Sequence, residues 1–98
     1  MADRSRLTDD QIAERLKATP EWSLSSGSAG QSITRTFEAP SFLEGIAFVQ
    51  GVAEIAESRD HHPDIDIRYN RVTLTLTTHD KGGLTGWDFD VAEAVDAL

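Results

Sequence analysis

Residues 64–79 constrain the fold more than any other stretch of the chain. Ile65, Ile67 and Tyr69 alternate with Asp64, Asp66 and Arg68, while Val72, Leu74 and Leu76 alternate with Thr73, Thr75 and Thr77. A period of two belongs to strands with one buried face. Asn70-Arg71 between the runs suits a two-residue turn, because Asn tolerates left-handed backbone. In that register Tyr69 faces Val72, Ile67 faces Leu74 and Ile65 faces Leu76, so every apolar side chain falls on one side of the hairpin. The same register sets His62 opposite His79, both projecting away from the apolar face, with Pro63 making the strand start irregular.

The hairpin needs a cover, and the rest of the chain supplies three amphipathic segments. Thr8-Asp9-Asp10-Gln11 is a capping-box pattern opening a first helix from about Thr8 to Ala18, with Leu7 stapling its entry and Pro20 stopping it. Trp22 and Leu24, a Ser/Gly turn over Ser25 to Gly30, and the alternating Ile33, Arg35 and Phe37 predict another hairpin. Ser41 and Glu44 cap a second helix reaching about Ser58. It carries two apolar stripes: Phe42, Ile46, Val49, Ala53 and Ala56, and beside them Phe48, Val52 and Ile55. Together they span roughly 180° of the helix, more than its own sheet requires, so a subunit interface is expected along it. After Gly82-Gly83, Thr85 and Asp88 open a third helix carrying Trp87, Val91, Ala94, Val95 and Leu98. Trp22 and Trp87 both read as core residues. The order α-β-β-α-β-β-α predicts an α+β two-layer sandwich, a four-stranded antiparallel sheet with three helices on one face.

Ninety-eight residues suit a single domain over residues 1–98, with one modest core and a homo-oligomer as the working form, through the second helix and the sheet edges. Nine basic against seventeen acidic residues leave a net charge of −8, which sets nucleic-acid and anionic-membrane partners aside. With no cysteine, disulfide frameworks, thiolate zinc sites and cysteine nucleophiles are excluded. Met1 to Arg6 have no apolar stretch behind them, and the longest apolar run, Ile46 to Val49, is far below the ~20 residues of a membrane span. A cytoplasmic protein is expected.

All three histidines, His61, His62 and His79, fall within nineteen residues of one another. Glu57 precedes His61 by four positions and would share its face on a continuing helix. Imidazoles beside carboxylates supply acid and base near neutral pH. Histidines at a helix end also suit its dipole, and Pro63 is an ordinary helix stop. Three histidines can ligate zinc, but adjacent His61 and His62 point apart in regular structure, and no metal is expected.

Glu57-Ser58-Arg59-Asp60-His61-His62-Pro63, then Tyr69, then Thr77-Thr78-His79-Asp80 and Gly82-Gly83-Leu84-Thr85 with Asp88, resembles the pterin-4a-carbinolamine dehydratase family. The family pattern is an acidic residue, three others, His-His-Pro, an aromatic about six positions on, a His ten further and a later Asp. Every position is filled here. Ile65 stands where many members have Trp.

The resemblance implies dehydration of a 4a-hydroxytetrahydropterin to quinonoid dihydropterin and water, in recycling the cofactor of aromatic amino-acid hydroxylases. The pterin is substrate, and no cofactor is implied. His61, His62 and His79 match the catalytic histidines. His61 and His62 are expected on the hydroxyl side and His79 on the N5 side, although the sequence alone does not divide acid from base among them. Asp60, Thr77, Thr78 and Asp80 would contact the pterin, with Glu57, Asp88 and Pro63 supporting. Family members in animals also act as dimerisation cofactors of a homeodomain transcription factor, so a non-catalytic protein-interaction module of the same fold is the alternative.

Overall fold

The computed structural model describes residues 5–28 and 30–98. Helix α1 (Asp9–Ala18) is followed by strands β1 (Ser23–Gly27) and β2 (Gly30–Glu38), helix α2 (Phe42–Arg59), strands β3 (Asp64–Arg68) and β4 (Arg71–Leu76), and helix α3 (Gly86–Asp96), with a 3₁₀ turn at His79–Lys81. The strands form one antiparallel sheet in the order β1-β2-β4-β3, and the expected α+β sandwich is the observed one.

Local chemistry starts each helix where the sequence predicts. The Thr8 hydroxyl accepts the Gln11 N–H at 3.2 Å and the Gln11 side chain accepts the Thr8 N–H at 2.9 Å, a reciprocal capping box. Ser41 accepts from the Glu44 N–H at the start of α2. Ile33, Val72, Leu74 and Leu76 on one face of the sheet pack with Ile12, Trp22, Val52, Leu84, Phe89, Val91, Ala92 and Val95 into one core. Each such large side chain contributes roughly 1.5–3 kcal/mol on burial. Trp22 is core, as expected, and its indole N–H donates to Asp96 at 2.9 Å.

Three boundaries differ from the sequence reading. In the first hairpin the ladder runs on until Gly27 pairs with Gly30. Ser25 and Ser26 therefore belong to β1 rather than to a turn. The second hairpin pairs Arg68 with Arg71, Ile67 with Val72 and Ile65 with Leu74, so the turn is Tyr69-Asn70 instead of Asn70-Arg71. Asn70 sets this register: its carbonyl accepts the Ala39 N–H at 2.9 Å and its side-chain amide donates to the Ala39 carbonyl at 2.8 Å, tying the turn to the connection before α2. The shift leaves the alternation intact, since each residue keeps its face. It moves Tyr69 into the turn, at φ 55° and 74% exposed, so Tyr69 is not a core residue.

The third difference concerns His62 and His79, which are not cross-strand partners. The β3–β4 ladder ends with Asp64 opposite Thr75, because Pro63 has no N–H to extend it. Beyond Leu76 the chain leaves β3, and Thr78 pairs with Gly83 instead.

Strand β3 is an edge strand whose helix-side residues Ile65 and Ile67 are each 39% exposed. On α2 the stripe of Phe48, Val52 and Ile55 packs against the core, while Phe42 and Ala53 lie open to solvent. No helix among the described residues is long and apolar enough to cross a membrane.

Candidate active site

The end of α2 aims the two adjacent histidines. Asp60 adopts a left-handed conformation (φ 51°, ψ 42°), which Asp reaches more readily than most residues. The Asp60 N–H donates to the Glu57 carbonyl at 3.3 Å and the His61 N–H to the Ala56 carbonyl at 3.1 Å, the paired bonds of a Schellman ending. The reversal of the chain here breaks the helical i,i+4 relation. Glu57 consequently pairs with His62, Oε2 to Nε2 at 2.6 Å, and not with His61 as helical spacing predicted. This pair is open to water.

His61 turns inward. Its Nε2 lies 2.6 Å from Oδ1 of Asp88, whose side chain is completely buried. The Trp87 and His61 rings meet in a T-shaped contact, with centroids 5.9 Å apart and planes at 79°. Trp87, expected only as packing for α3, is thus half-buried against a candidate site residue. Asp88 is held in turn: its Oδ2 accepts the Thr85 N–H and the Thr78 hydroxyl, each at 2.9 Å. The Thr85-x-x-Asp88 capping box that starts α3 therefore also anchors the partner of His61.

His79 arrives from another direction. The Thr78–Gly83 bridge closes a short loop whose first residue, His79, opens the 3₁₀ turn; Gly82 ends it at φ 69°, its N–H bonded to the His79 carbonyl. That loop is pressed against the start of β2. A Cβ on Gly30, itself at φ 110°, would lie 2.2 Å from the Gly82 carbonyl oxygen, so only glycine fits there.

These three routes converge. Asp60, His61, His62, Thr77, Thr78, His79 and Asp80 line one open depression of about 320 Å³, within the range of small-molecule sites. All three histidines and all four residues expected to contact a ligand are on its wall. The Thr77 hydroxyl donates to the Gln31 carbonyl at 2.7 Å, leaving its oxygen lone pairs for a ligand, whereas the Thr78 hydroxyl is committed to Asp88 beneath the wall. Of the supporting residues, Glu57 braces His62 at the rim and Asp88 braces His61 from below. Half-buried Pro63 sets the start of β3 and does not line the depression. Thr85 and the contact of Trp87 with His61 were missed by sequence reasoning. The capping-box spacing signalled Thr85, but only as a helix start.

Comparison with known proteins agrees over nearly the whole chain. The family model described as pterin 4 alpha carbinolamine dehydratase matches residues 5–98. A protein of Chloroflexus aurantiacus named "Putative pterin-4-alpha-carbinolamine dehydratase" is 54% identical over 93 residues, covering 95% of this chain and 96% of its own. One of the same name from Nocardia farcinica is 52% identical over 92 residues, covering 94% and 93%. Among solved structures, a transcriptional coactivator/pterin dehydratase from Brucella melitensis superposes with a TM-score of 0.87 at 36% identity, covering 95% of this chain and 97% of that one.

Proposed function

The chain belongs to the pterin 4 alpha carbinolamine dehydratase family, and on that premise we propose that it dehydrates a 4a-hydroxytetrahydropterin, tetrahydrobiopterin-derived or similar, to the quinonoid dihydropterin and water. The observation that carries this reading is the gathering of His61, His62 and His79 on one depression large enough for a bicyclic ligand.

The reaction breaks the C4a–O bond and makes a C4a=N5 double bond. One proton is delivered to the departing hydroxyl, which leaves as water, and the N5 proton is removed. There is no net oxidation, so the chemistry calls for no redox cofactor and placed acids and bases suffice; groups so placed typically give about 10²–10⁴-fold acceleration. In our reading His61 and His62, at the end of α2, serve the hydroxyl, and His79, on the 3₁₀ turn across the depression, takes the N5 proton. Asp60, Thr77 and Asp80 contribute polar contacts to the pterin ring, while Thr78, expected to join them, lines the wall with its hydroxyl bonded to Asp88 and its backbone to Gly83 and Lys81.

Two features bear on its setting. In this reading the quinonoid product passes to a reductase in tetrahydropterin recycling, and the protein acts in the cytoplasm. The exposed shoulder of α2 at Phe42 and Ala53 and the open inner face of β3 at Ile65 and Ile67 support a homo-oligomer through the second helix and the sheet edge, since exposed apolar patches of this kind mark interfaces.

A second reading is a non-catalytic protein-interaction module or transcriptional cofactor of the same fold. It draws on the coactivator description of the Brucella melitensis protein and on the same apolar shoulder. Stopped-flow measurement of dehydration of a 4a-hydroxytetrahydropterin generated in situ separates the two. The proposal expects clear acceleration by the wild type, and loss of about 100-fold or more in both His62→Ala and His79→Ala. Wild-type protein that leaves the spontaneous rate unchanged would hand the function to the second reading.

A further inference from the structure

The buried polar group beneath the depression has a direction that hydrogen-bond counting determines. Asp88 is fully buried, and as a carboxylate it only accepts. The Thr78 hydroxyl, 2.9 Å from Asp88 Oδ2, must therefore spend its single proton there. Thr78 Oγ1 also lies 2.9 Å from Thr85 Oγ1. With its own proton committed, Thr78 can only accept in that contact, so Thr85 donates. Thr85 Oγ1 in turn accepts the Trp87 N–H at 3.3 Å. Every proton in the chain thus runs one way, from Thr85 to Thr78 to Asp88. On the other oxygen of Asp88 the remaining donor is His61, whose Nε2 must carry a proton whether the ring is neutral or charged.

We propose that Thr78 and Thr85 are positioning residues that hold Asp88 with both oxygens saturated by donors, and so fix the His61 tautomer with its proton on Nε2, leaving Nδ1 as the nitrogen that exchanges protons during turnover. Neither hydroxyl touches substrate in this scheme; both act through Asp88. A network of this kind costs most when partly satisfied. Removing the Thr78 hydroxyl takes one donor from Asp88 and leaves the Thr85 proton without an acceptor. The catalytic consequence rests on the dehydratase reading, whereas the tautomer does not.

The test combines long-range ¹H–¹⁵N correlation of the histidine rings with steady-state kinetics on the full chain. Wild-type His61 should show a protonated Nε2 and an unprotonated Nδ1 in its neutral form. Thr78→Val, which keeps the shape and loses the hydroxyl, leaves Asp88 Oδ2 held by the Thr85 N–H alone, so that the carboxyl can turn from His61 Nε2; this should mix the two tautomers and lower kcat by about tenfold, the worth of one hydrogen bond to a charged group, with KM within about twofold. Thr78→Ser should restore both readouts. Thr36→Val removes a hydroxyl from a similar pair, 2.8 Å from Thr73 on the open face of the sheet, and should change neither. Where valine does not fold, Thr78→Ala takes its place. A wild-type His61 protonated on Nδ1, or a Thr78→Val protein with wild-type ring signals and kcat, overturns the proposal. Ring signals that respond to Thr78→Val in a protein with no dehydratase activity would sink the functional reading and leave the positioning role standing.

Discussion

His61 Nε2 and Asp88 Oδ1 stand 2.6 Å apart although 27 positions separate them in the chain. A carboxylate buried on the first turn of α3 thus meets a histidine thrown inward from the end of α2. Buried charge is tolerated only when hydrogen-bonded throughout, and Asp88 has three donors.

Asp88→Asn keeps the size of the side chain but replaces one acceptor oxygen by an NH₂ group. That group meets either His61 Nε2–H or the Thr78 and Thr85 donors head-on, and the alternative is a flipped His61 tautomer. A misoriented catalytic imidazole costs up to about 10⁴-fold in kcat where this has been isolated. We expect kcat to fall by roughly 10²–10⁴-fold, with stability reduced by about 1–3 kcal/mol from the mismatched buried group. Stopped-flow rates and urea unfolding check the two effects separately.

Glu57→Gln tests the other histidine–carboxylate pair, and its outcome should be mild. The bond to His62 is as short, but the two side chains are 78% and 54% exposed. Exposed pairs contribute about 0.2–1 kcal/mol. The urea midpoint should shift by no more than that range implies, and kcat should fall far less than in Asp88→Asn. A Glu57→Gln protein as impaired as Asp88→Asn would give the rim pair a part in turnover that its exposure does not suggest.

What the sequence revealed and what it concealed divide along physical lines. Alternation in residues 64–76 and the three capping patterns are local signals, and the strands and helices they predict are present. The hairpin register slipped because its determinant, the pair of hydrogen bonds between Asn70 and Ala39, joins residues 31 positions apart, and Asn70-Arg71 looked like the turn on local grounds alone. The histidines do gather, but not as cross-strand neighbours. One left-handed residue, Asp60, and one bridge, Thr78–Gly83, steer them, and neither has a periodicity to read. The exchange of partners that gives Glu57 to His62 and Asp88 to His61 follows from the same left-handed turn.

Gly30→Ala probes the loop that carries His79 without touching the depression. The added carbon would stand 2.2 Å from the Gly82 carbonyl oxygen, backbone that can yield only by moving the 82–83 segment. The residue also sits at φ 110°, where a side chain is strained by about 1–3 kcal/mol. We expect a lower melting temperature together with a fall in kcat as the His79 turn is displaced. A variant that loses stability but keeps wild-type kcat would show that the His79 loop moves independently of β2.

The proposed oligomer makes the last prediction. Phe42 is 44% exposed, Ala53 lies open on the same side of α2, and Ile46 between them is only half-covered. Val49 and Ala56 of the same stripe turn to the core, so the lone chain leaves Phe42, Ala53 and part of Ile46 in water, although burying them would add roughly 25 cal/mol for each Å² covered. A second copy of the chain is the occupant we expect, since the same patch on each copy is self-complementary across a two-fold axis. Phe42→Glu with Ala53→Glu places charges on that seam and touches no buried core residue. Light scattering should report more than one chain per particle for the wild type at micromolar concentration and a single chain for the double variant, with little change in circular dichroism. A monomeric wild type would overturn the oligomer and leave the dehydratase reading, whose depression lies within one chain, to the stopped-flow test.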